Sequence, residues 1–289
     1  MTYHDPVLLN EAVQGLNINP NGIYADLTFG GGGHSKEILK RLKNGKLIAF
    51  DQDADAVGNS PDDKRFILIN ANFKYLKNFL RYYDVIPIDG ILADLGISSH
   101  QLDEANRGFA ARFNSGIDLR MDKKNPVTGQ DILNNYSEAE LKTIFLEYGE
   151  LQLAGLISKA VVEYRKTKKI ERMSDLKEAT GKFAEHGKEN KYYSKVLQAL
   201  RIEINQEIEA LKEMLMQCHD VLKTGGVLAV ISYHSLEDRV VKNFMKTGNT
   251  EGDVKKDFFG NENAPFEMLT RKPLFPAECE LARNKRARS

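Results

Sequence analysis

Between residues 22 and 99, short apolar runs alternate with runs of helical periodicity. The apolar runs predict strands at 23–27, 46–51, 66–70 and 90–95. The segments between them predict helices at 35–43, 53–58 and 73–82. Strands that alternate with short helices indicate a mostly parallel sheet covered on both faces. We therefore expect an α/β fold in this part of the chain.

The same pattern returns towards the C-terminus. Residues 203–222 predict a helix that stops at Thr224-Gly-Gly, and residues 227–232 predict a buried strand. No such strand occurs between Ser99 and about Tyr193, and this stretch is too long for a single loop. We expect an inserted helical domain at 106–202, within a discontinuous α/β domain formed by residues 1–105 and 203–289.

The predicted insert carries helical signals of its own. A capping box opens at Ser137, residues 152–170 predict a second helix, and Ser174 could cap a third. From about Ser194 an apolar stripe with spacings of three and four continues to the end of the insert and beyond. This stripe fits one long helix that returns to the sheet, or two helices with a break near Asn205.

A strand that ends near Asp26 leads into four glycines, Gly30 to Gly33, and then into a helix. Glycine permits positive φ and close approach to a ligand, and a helix start provides free N–H groups. A dinucleotide site would need a further glycine at the position of Ser35 or Lys36, and the chain has no Gly-Lys-Ser/Thr of a phosphate loop. The remaining class of cofactor is S-adenosylmethionine, which carries a sulfonium cation.

Acidic side chains at the strand ends favour that cofactor. Asp26, Asp51 and Asp94 each stand at the end of a predicted strand, and carboxylates attract a nearby cation. Asp51 lies 21 residues after Gly30, where an acidic side chain can bind ribose hydroxyls. The segment Asn70-Ala-Asn-Phe73 offers an amide and an aromatic face for adenine. Because ligands bind at the carboxyl ends of parallel strands, we expect these groups to converge.

Composition narrows the class of protein further. The 289 residues include 41 Lys plus Arg and 41 Asp plus Glu, so nucleic-acid binding would have to depend on local patches. Cys218 and Cys279 make neither a disulfide framework nor a zinc pattern, which suits a reducing compartment, and we expect no metal site. The N-terminus has no secretory signal, and no apolar run approaches the ~20 residues of a membrane span. We expect a cytoplasmic protein.

An ordered set of motifs extends over nearly the whole chain. On these motifs, the sequence resembles the bacterial 16S ribosomal RNA cytosine N(4)-methyltransferase family, the MraW type. The matching segments are 4–11 (HDPVLLNE), 26–35 (DLTFGGGGHS), 94–99 (DLGISS), 101–103 (QLD), 107–109 (RGF), 118–122 (DLRMD), 148–150 (YGE), 198–202 (QALRI) and 231–239 (ISYHSLEDR).

The resemblance implies a class I S-adenosylmethionine-dependent fold, Rossmann-like, with a helical insert that recognises the substrate RNA. It implies 16S rRNA within the small ribosomal subunit as the partner and the exocyclic amino group of a cytidine as the methyl acceptor. Whether the protein forms a homodimer is left undecided. The cofactor contacts that it implies fall on Gly32, Gly33, His34, Asp51, Phe73, Asp94 and Gln101. Of these, His34 and Gln101 are implied by the family alone.

In the expected reaction, the amine is a poor nucleophile and must be activated, because its lone pair is delocalised into the cytosine ring. An acceptor for the amine hydrogens and close positioning of the two reactants would provide this activation. Asp94 is the candidate acceptor, although it could serve the cofactor instead. His234 is a second candidate, as a proton acceptor, but Ser235 and Asp238 equally fit a capping box that simply starts a helix.

Basic residues that could grip the RNA backbone fall into three groups. The first is a run at the end of an insert helix, the second is the C-terminal tail, and the third lies near the cofactor loops. They are, in that order, Lys159, Arg165, Lys166, Lys168, Lys169 and Arg172; Arg283, Lys285, Arg286 and Arg288; and Arg107, Arg112 and Arg120.

Two rival functions remain on sequence grounds. One is methyl transfer on the same fold to DNA or to a small molecule. The other is a cofactor-sensing, RNA-binding factor without turnover, in which the helical insert provides the function.

Overall fold

The computed structural model describes residues 6–254, 264–270 and 272–288. The chain forms two compact units. One, the sheet unit, consists of Met1–Gly96 and Ile208–Ser289, and the other, the helical unit, consists of Ile97–Glu207.

A parallel sheet forms the centre of the sheet unit. In the described residues its strands have the order β3-β2-β1-β4-β5, and every pair is parallel. The strands are β1 Ile23–Asp26, β2 Lys46–Phe50, β3 Phe66–Ile69, β4 Ile88–Asp94 and β5 Leu222–Ile231. Because all five run in one direction, their carboxyl ends lie at one edge of the sheet. The α/β fold predicted from the apolar pattern is confirmed, and four of its strands agree with the prediction to within two residues. β5 begins at Leu222, five residues before its predicted start, so the helix stop predicted at Thr224-Gly-Gly is wrong and these residues lie in the strand.

Helices cover both faces of this sheet. Leu47 of β2 belongs to a buried cluster with residues of α1 (Leu9–Gly15) and α2 (Gly33–Arg41). Phe50, three residues further along β2, points to the opposite face, and its ring contacts Phe79 of α3 (Leu76–Tyr82) at 5.9 Å between centroids. Two helices predicted from the sequence are partly or wholly 3₁₀ instead: Ala54–Asn59, and Phe73–Tyr75 ahead of α3. The sequence pattern did not predict α1.

The helical unit has its own apolar core, which includes Leu133, Phe145 and Leu200. The capping box at Ser137 is confirmed, since its side chain and that of Glu140 bond each other's backbone N–H groups. The prediction that Ser174 caps the third helix is wrong, because the N-cap is Arg172 and the capping side chain is Asp175. The helices of this unit are α4 Ser99–Asp103, α5 Gly129–Asn135, α6 Glu138–Glu147, α7 Ala154–Arg165, α8 Met173–Thr180 and α9 Glu189–Asn205.

The bounds predicted for the insert, 106–202, are too narrow for this unit. On the N-terminal side, Ile97 and Leu102 pack against the apolar core of the helical unit. On the C-terminal side, Ile204 belongs to that core. These side chains join the unit because they bury apolar surface there. Recognition of the substrate RNA by the helical unit stays a prediction.

The apolar stripe after Ser194 forms two helices. Helix α9 ends at Asn205, Gln206 adopts a left-handed conformation with φ 51°, and α10 then spans Glu207–Val221. Asn205 is 9% exposed, and its side chain accepts from Met121 N at 2.7 Å and donates to the Leu119 carbonyl oxygen at 2.8 Å. The same amide donates to the Arg201 carbonyl oxygen at 2.9 Å, so at the break this side chain joins the end of α9 to an irregular segment of the insert.

We expect Asn205→Leu to destabilise the protein by about 2–4 kcal/mol, because a buried N–H and a buried carbonyl would lose their partner. Chemical denaturation followed by circular dichroism measures this loss. Asn44→Ala removes an exposed amide that donates to Asn21 at 3.1 Å, and it should change stability by less than about 0.5 kcal/mol. Equal effects of the two changes would show that the Asn205 network is not a stabilising element.

Candidate active site

The glycine loop joins β1 to α2 and requires glycine at several points. Gly30 and Gly32 have φ values of 49° and 75°. A Cβ on Gly32 would stand 2.8 Å from the Phe29 ring, and one on Gly33 would stand 2.2 Å from Cγ of Pro6. The backbone can therefore follow this path only without side chains, and it brings the start of α2 to the edge where the strands end.

Asp26 ends β1 beneath this loop. It is 1% exposed, its carboxylate accepts from the Ser35 hydroxyl at 2.6 Å and from Thr28 N at 3.2 Å, and burial raises its pKa. Its acceptor atoms are therefore directed at the loop. The side chain is sealed under the loop that it holds. Its predicted attraction for the sulfonium cation stays a prediction.

His34 stands in the first turn of α2 and is 5% exposed. Its Nε2 lies 3.1 Å from the Val7 carbonyl oxygen, and its Nδ1 lies 3.9 Å from Oδ2 of Asp94. The ring therefore connects the N-terminal segment to the end of β4. Its implied contact with the cofactor stays a prediction.

Asp51 follows β2 and braces the glycine loop from the side. Its carboxylate accepts from Gly30 N at 2.7 Å and from Asp53 N at 2.8 Å. Desolvation raises its pKa to about 6, which exceeds the effect of these two hydrogen bonds. The group is only partly buried, so a ligand can still reach it. It is ionised at pH 7 and suited to accept hydrogen bonds from ribose hydroxyls.

In the adenine region predicted after β3, two side chains bond the segment that follows β2. Asn70 donates to the Asp51 carbonyl oxygen at 2.9 Å, and Asn72 donates to the Gln52 side chain at 2.8 Å. Asn72 also caps the 3₁₀ turn that begins with Phe73, whose ring is partly exposed. Phe73 thus follows a segment that is bonded to Asp51 and Gln52, and its predicted role as a stacking surface for adenine stays a prediction.

Asp94 ends β4 and is 10% exposed. Its backbone N–H donates to Thr28 Oγ1 at 2.6 Å, and its Oδ1 accepts from the Tyr233 hydroxyl at 2.6 Å. Among the described residues, Oδ2 has no hydrogen bond and two cationic or ionisable neighbours, His34 and Arg286, each at 3.9 Å. One oxygen is therefore fixed by the fold, and the other is left for a ligand.

Gln101 and His234, the remaining predicted site residues, both act in helix caps. Gln101 belongs to the helical unit, is 5% exposed, and forms a reciprocal capping box with Ser98. His234 caps α11 (Ser235–Thr247), its Nδ1 accepting from Glu237 N, and its Nε2 lies 3.1 Å from Glu237 Oε1. The capping interpretation of this segment is favoured, although the cap is His234 rather than Ser235. A direct part of Gln101 or His234 in binding or catalysis stays a prediction.

Several arginines predicted to bind RNA are used within the helical unit. Arg107 is 5% exposed and donates to the Arg120 and Met121 carbonyls, and Arg120 pairs with Asp118 at 2.8 Å. Arg112 pairs with Asp103 at 2.7 Å. These side chains brace loops, and a charged residue type in a sequence does not reveal such a partner.

Two basic residues of the run at the end of α7 also bond other groups within the helical unit. Arg165 donates to the Leu133 and Tyr136 carbonyls, at 2.8 and 2.6 Å, and Lys168 pairs with Asp175 at 2.7 Å. In the C-terminal tail, Arg283 is exposed and Arg286 turns towards Tyr233. The side chains of Lys285 and Arg288 lie outside what the structure describes.

The sequence pattern missed Tyr233 and Arg286 as partners of Asp94. Tyr233 was only one residue of the matching segment 231–239, and Arg286 was one of four basic residues in a tail. The signal that could have found Tyr233 is its place directly after β5, since β5 neighbours β4 and both strands end at the same edge.

Comparison with known proteins gives one consistent result. The MraW methylase family model matches residues 1–289. The chain belongs to the MraW methylase family. This membership identifies the protein as an S-adenosylmethionine-dependent methyltransferase, and the glycine loop, Asp51 and Phe73 are chemically suited to that cofactor.

Three curated relatives carry the name "Ribosomal RNA small subunit methyltransferase H". The protein of Cytophaga hutchinsonii is 55% identical, over 99% of this chain and 97% of its own length. That of Bacteroides fragilis is 51% identical over 100% of this chain and 95% of its own, and that of Flavobacterium johnsoniae is 50% identical over 100% and 96%. Among solved structures, an rRNA methylase from Streptococcus thermophilus aligns with 30% of this chain and 52% of its own at 23% identity and a TM-score of 0.25, a likeness too weak to bear on the fold.

We expect the MraW-family enzyme to bind S-adenosylmethionine about tenfold more weakly at pH 5 than at pH 7.5. The Asp51 carboxyl has a pKa of about 6; it is ionised above that pH and about nine-tenths protonated at pH 5, when it accepts hydrogen bonds poorly. Isothermal titration calorimetry at the two pH values measures this. Asp51→Asn should bind weakly at both, and a variant with the same pH dependence as the wild type would assign that dependence to another group, such as Asp26.

Proposed function

We propose that this enzyme methylates the exocyclic amino group of a cytidine in 16S rRNA within the small ribosomal subunit. The observation that carries the proposal is Asp94, whose Oδ2 has no hydrogen bond among the described residues and stands at the edge where a parallel sheet binds its ligands. The names of the relatives support the ribosomal RNA as the methyl acceptor.

Asp94 is suited to the difficulty of this reaction. A cytidine amine is planar because its lone pair is delocalised, and a carboxylate oxygen that accepts one of its hydrogens favours the pyramidal, nucleophilic form. Bound S-adenosylmethionine would supply the methyl group: its bond to sulfur breaks as the bond to nitrogen forms, and the electron pair of the broken bond stays on sulfur. Asp94 needs no strong basicity for this, since the methylated ammonium loses its proton readily.

The Tyr233 hydroxyl makes Asp94 a directed acceptor. It holds Oδ1 at 2.6 Å, and the Thr28 hydroxyl holds the backbone of the same residue at 2.6 Å. A carboxylate fixed at both points cannot rotate freely, so Oδ2 keeps one orientation. Such preorganisation is what allows an acceptor to contribute to the transition state.

A cytidine must leave its stack to reach such a carboxylate, either from a single-stranded region or by flipping. We infer that the helical unit recognises the RNA around the target. A homodimer and a cytoplasmic location also belong to this proposal. Among the described residues, no helix has the length and apolar character that crossing a membrane would require.

The rival substrates can be separated directly. Labelled methyl from S-adenosylmethionine should enter purified small ribosomal subunits lacking the modification, and neither DNA nor nucleosides should accept it. Nuclease digestion and mass spectrometry should then recover N(4)-methylated cytidine. Transfer to DNA instead, or cofactor binding without transfer to any ribosomal particle, would contradict the proposal and favour a rival function.

At the residue level, we expect Asp94→Asn to lower kcat about 10²–10³-fold, because the amide weakens the acceptor that faces the amine. Its stability should change by less than about 1 kcal/mol, since Oδ1 can still accept from Tyr233. Steady-state kinetics on small subunits and chemical denaturation measure the two effects.

Asp89→Asn is the matched control. Asp89 lies near the amino end of the same strand, accepts from Ile23 N at 2.9 Å and pairs with Lys223. It should lose stability and keep its kcat. If Asp94→Asn instead lost stability in proportion to activity, Asp94 would be a structural residue.

A further inference from the structure

Arg286 reaches the active-site edge from the C-terminal 3₁₀ helix (Lys285–Arg288). Its side chain is 19% exposed, and its guanidinium carbon lies 5.3 Å from the centre of the Tyr233 ring. One nitrogen, Nη2, lies 3.3 Å from the Tyr233 hydroxyl and 3.9 Å from Oδ2 of Asp94. The permanent positive charge in this tail thus faces the proposed acceptor.

This geometry differs from that of an arginine that grips a phosphate. A guanidinium that binds RNA presents its edge to solvent, whereas here one face lies over an aromatic ring and the group is largely buried. The ring covers one side of the guanidinium, and within the described part of the chain the guanidinium forms its ion pair with Asp94. An RNA contact made by this tail would have to come from its other residues.

The backbone around Arg286 is anchored in the core of the sheet unit. The next residue, Ala287, is 5% exposed and belongs to the same apolar cluster as Leu8. Glu280 of α12 (Glu278–Arg283) accepts from Leu8 N at 2.9 Å, and Asn284, 3% exposed, accepts from Arg286 N at 3.1 Å. The backbone of Arg286 is therefore held in place, so its side chain starts from a fixed point when it orders against Tyr233.

We propose that Arg286 is a positioning residue for methyl transfer: stacked on the Tyr233 ring, it holds the Asp94 carboxylate in the orientation that receives the amine. The inference rests on the proposed function, because it takes Asp94 as the acceptor. Tyr233 and Thr28 hold Oδ1 and the backbone of Asp94, and Arg286 adds a positive charge beside Oδ2. Without that charge Oδ2 is held less firmly, and kcat falls while substrate binding is retained.

Kinetics on small subunits separate this role from RNA binding. Arg286→Gln should lower kcat at least about tenfold and change KM for the subunit less than about twofold. Tyr233→Leu should lower kcat at least as much, because it removes both the ring under Arg286 and the hydroxyl that holds Asp94. Tyr233→Phe removes only the hydroxyl and keeps the ring, so it should lower kcat less than Tyr233→Leu does. Arg81→Gln, an exposed arginine of α3, removes one positive charge elsewhere and should leave both constants unchanged. A raised KM with an unchanged kcat for Arg286→Gln would overturn the proposal and assign Arg286 to RNA binding.

A double-mutant cycle in stability tests the contact without relying on turnover. Unfolding equilibrium constants are measured for Arg286→Gln, Asp94→Asn, the double variant and the wild type. We expect the two effects to be non-additive by at least about twofold, as for side chains that interact. Additive effects would overturn the proposed contact.

These two measurements also separate the inference from the function beneath it. If the wild type transfers no methyl group to small subunits and the cycle is still non-additive, the proposed function fails while the link between Arg286 and Asp94 stands. If the wild type is active and Arg286→Gln keeps the wild-type kcat, the positioning role fails alone.

Discussion

Three carboxylates stand at the ends of neighbouring parallel strands, and like charges gathered at one sheet edge repel each other. The sheet unit provides each of these carboxylates with a hydrogen-bond donor. Asp26 takes the Ser35 hydroxyl, Asp51 takes the Gly30 N–H, and Asp94 takes the Tyr233 hydroxyl. The first donor lies at the start of α2, the second in the glycine loop and the third in the segment after β5. The acidic edge therefore ties these segments to the ends of β1, β2 and β4.

The three groups differ in how far they remain available. Asp26 is sealed and has a raised pKa, Asp51 is braced but accessible, and Asp94 keeps one oxygen outside the network of hydrogen bonds. The same residue type therefore has a structural role at one strand end and a binding or chemical role at the others. Burial and the number of donors decide this, rather than the position in the motif.

The parts of this picture that are local in sequence could be predicted. The period of apolar residues revealed the strands, and the glycine run with Asp51 revealed the cofactor edge, because both depend on neighbours within one supersecondary unit. The partners of Asp94 could not be predicted in the same way. Tyr233 is 139 positions away in the chain, and Arg286 carries the same charge as residues that merely face solvent.

The insert shows the same limit of local pattern. Its helices could be predicted from capping and periodicity. From the sequence alone, Arg107, Arg120 and Arg165 suggest a nucleic-acid-binding surface, whereas the structure shows that they bond carbonyl and carboxylate groups. Asn205 is a further case, since a polar residue in an apolar stripe predicts a helix break only when a distant backbone segment needs its amide.

The anchoring of the C-terminal segment against Leu8 has a consequence for how the protein is made. A ribosome synthesises residues 280–287 after the whole parallel sheet, yet Ala287 and Glu280 complete the packing around the first helix. During translation, the face of the sheet that carries α1 stays incompletely covered, and Asp94 lacks its arginine neighbour. Within this fold, the packing around the start of α1 and the arginine neighbour of Asp94 therefore depend on residues that are synthesised after the whole sheet.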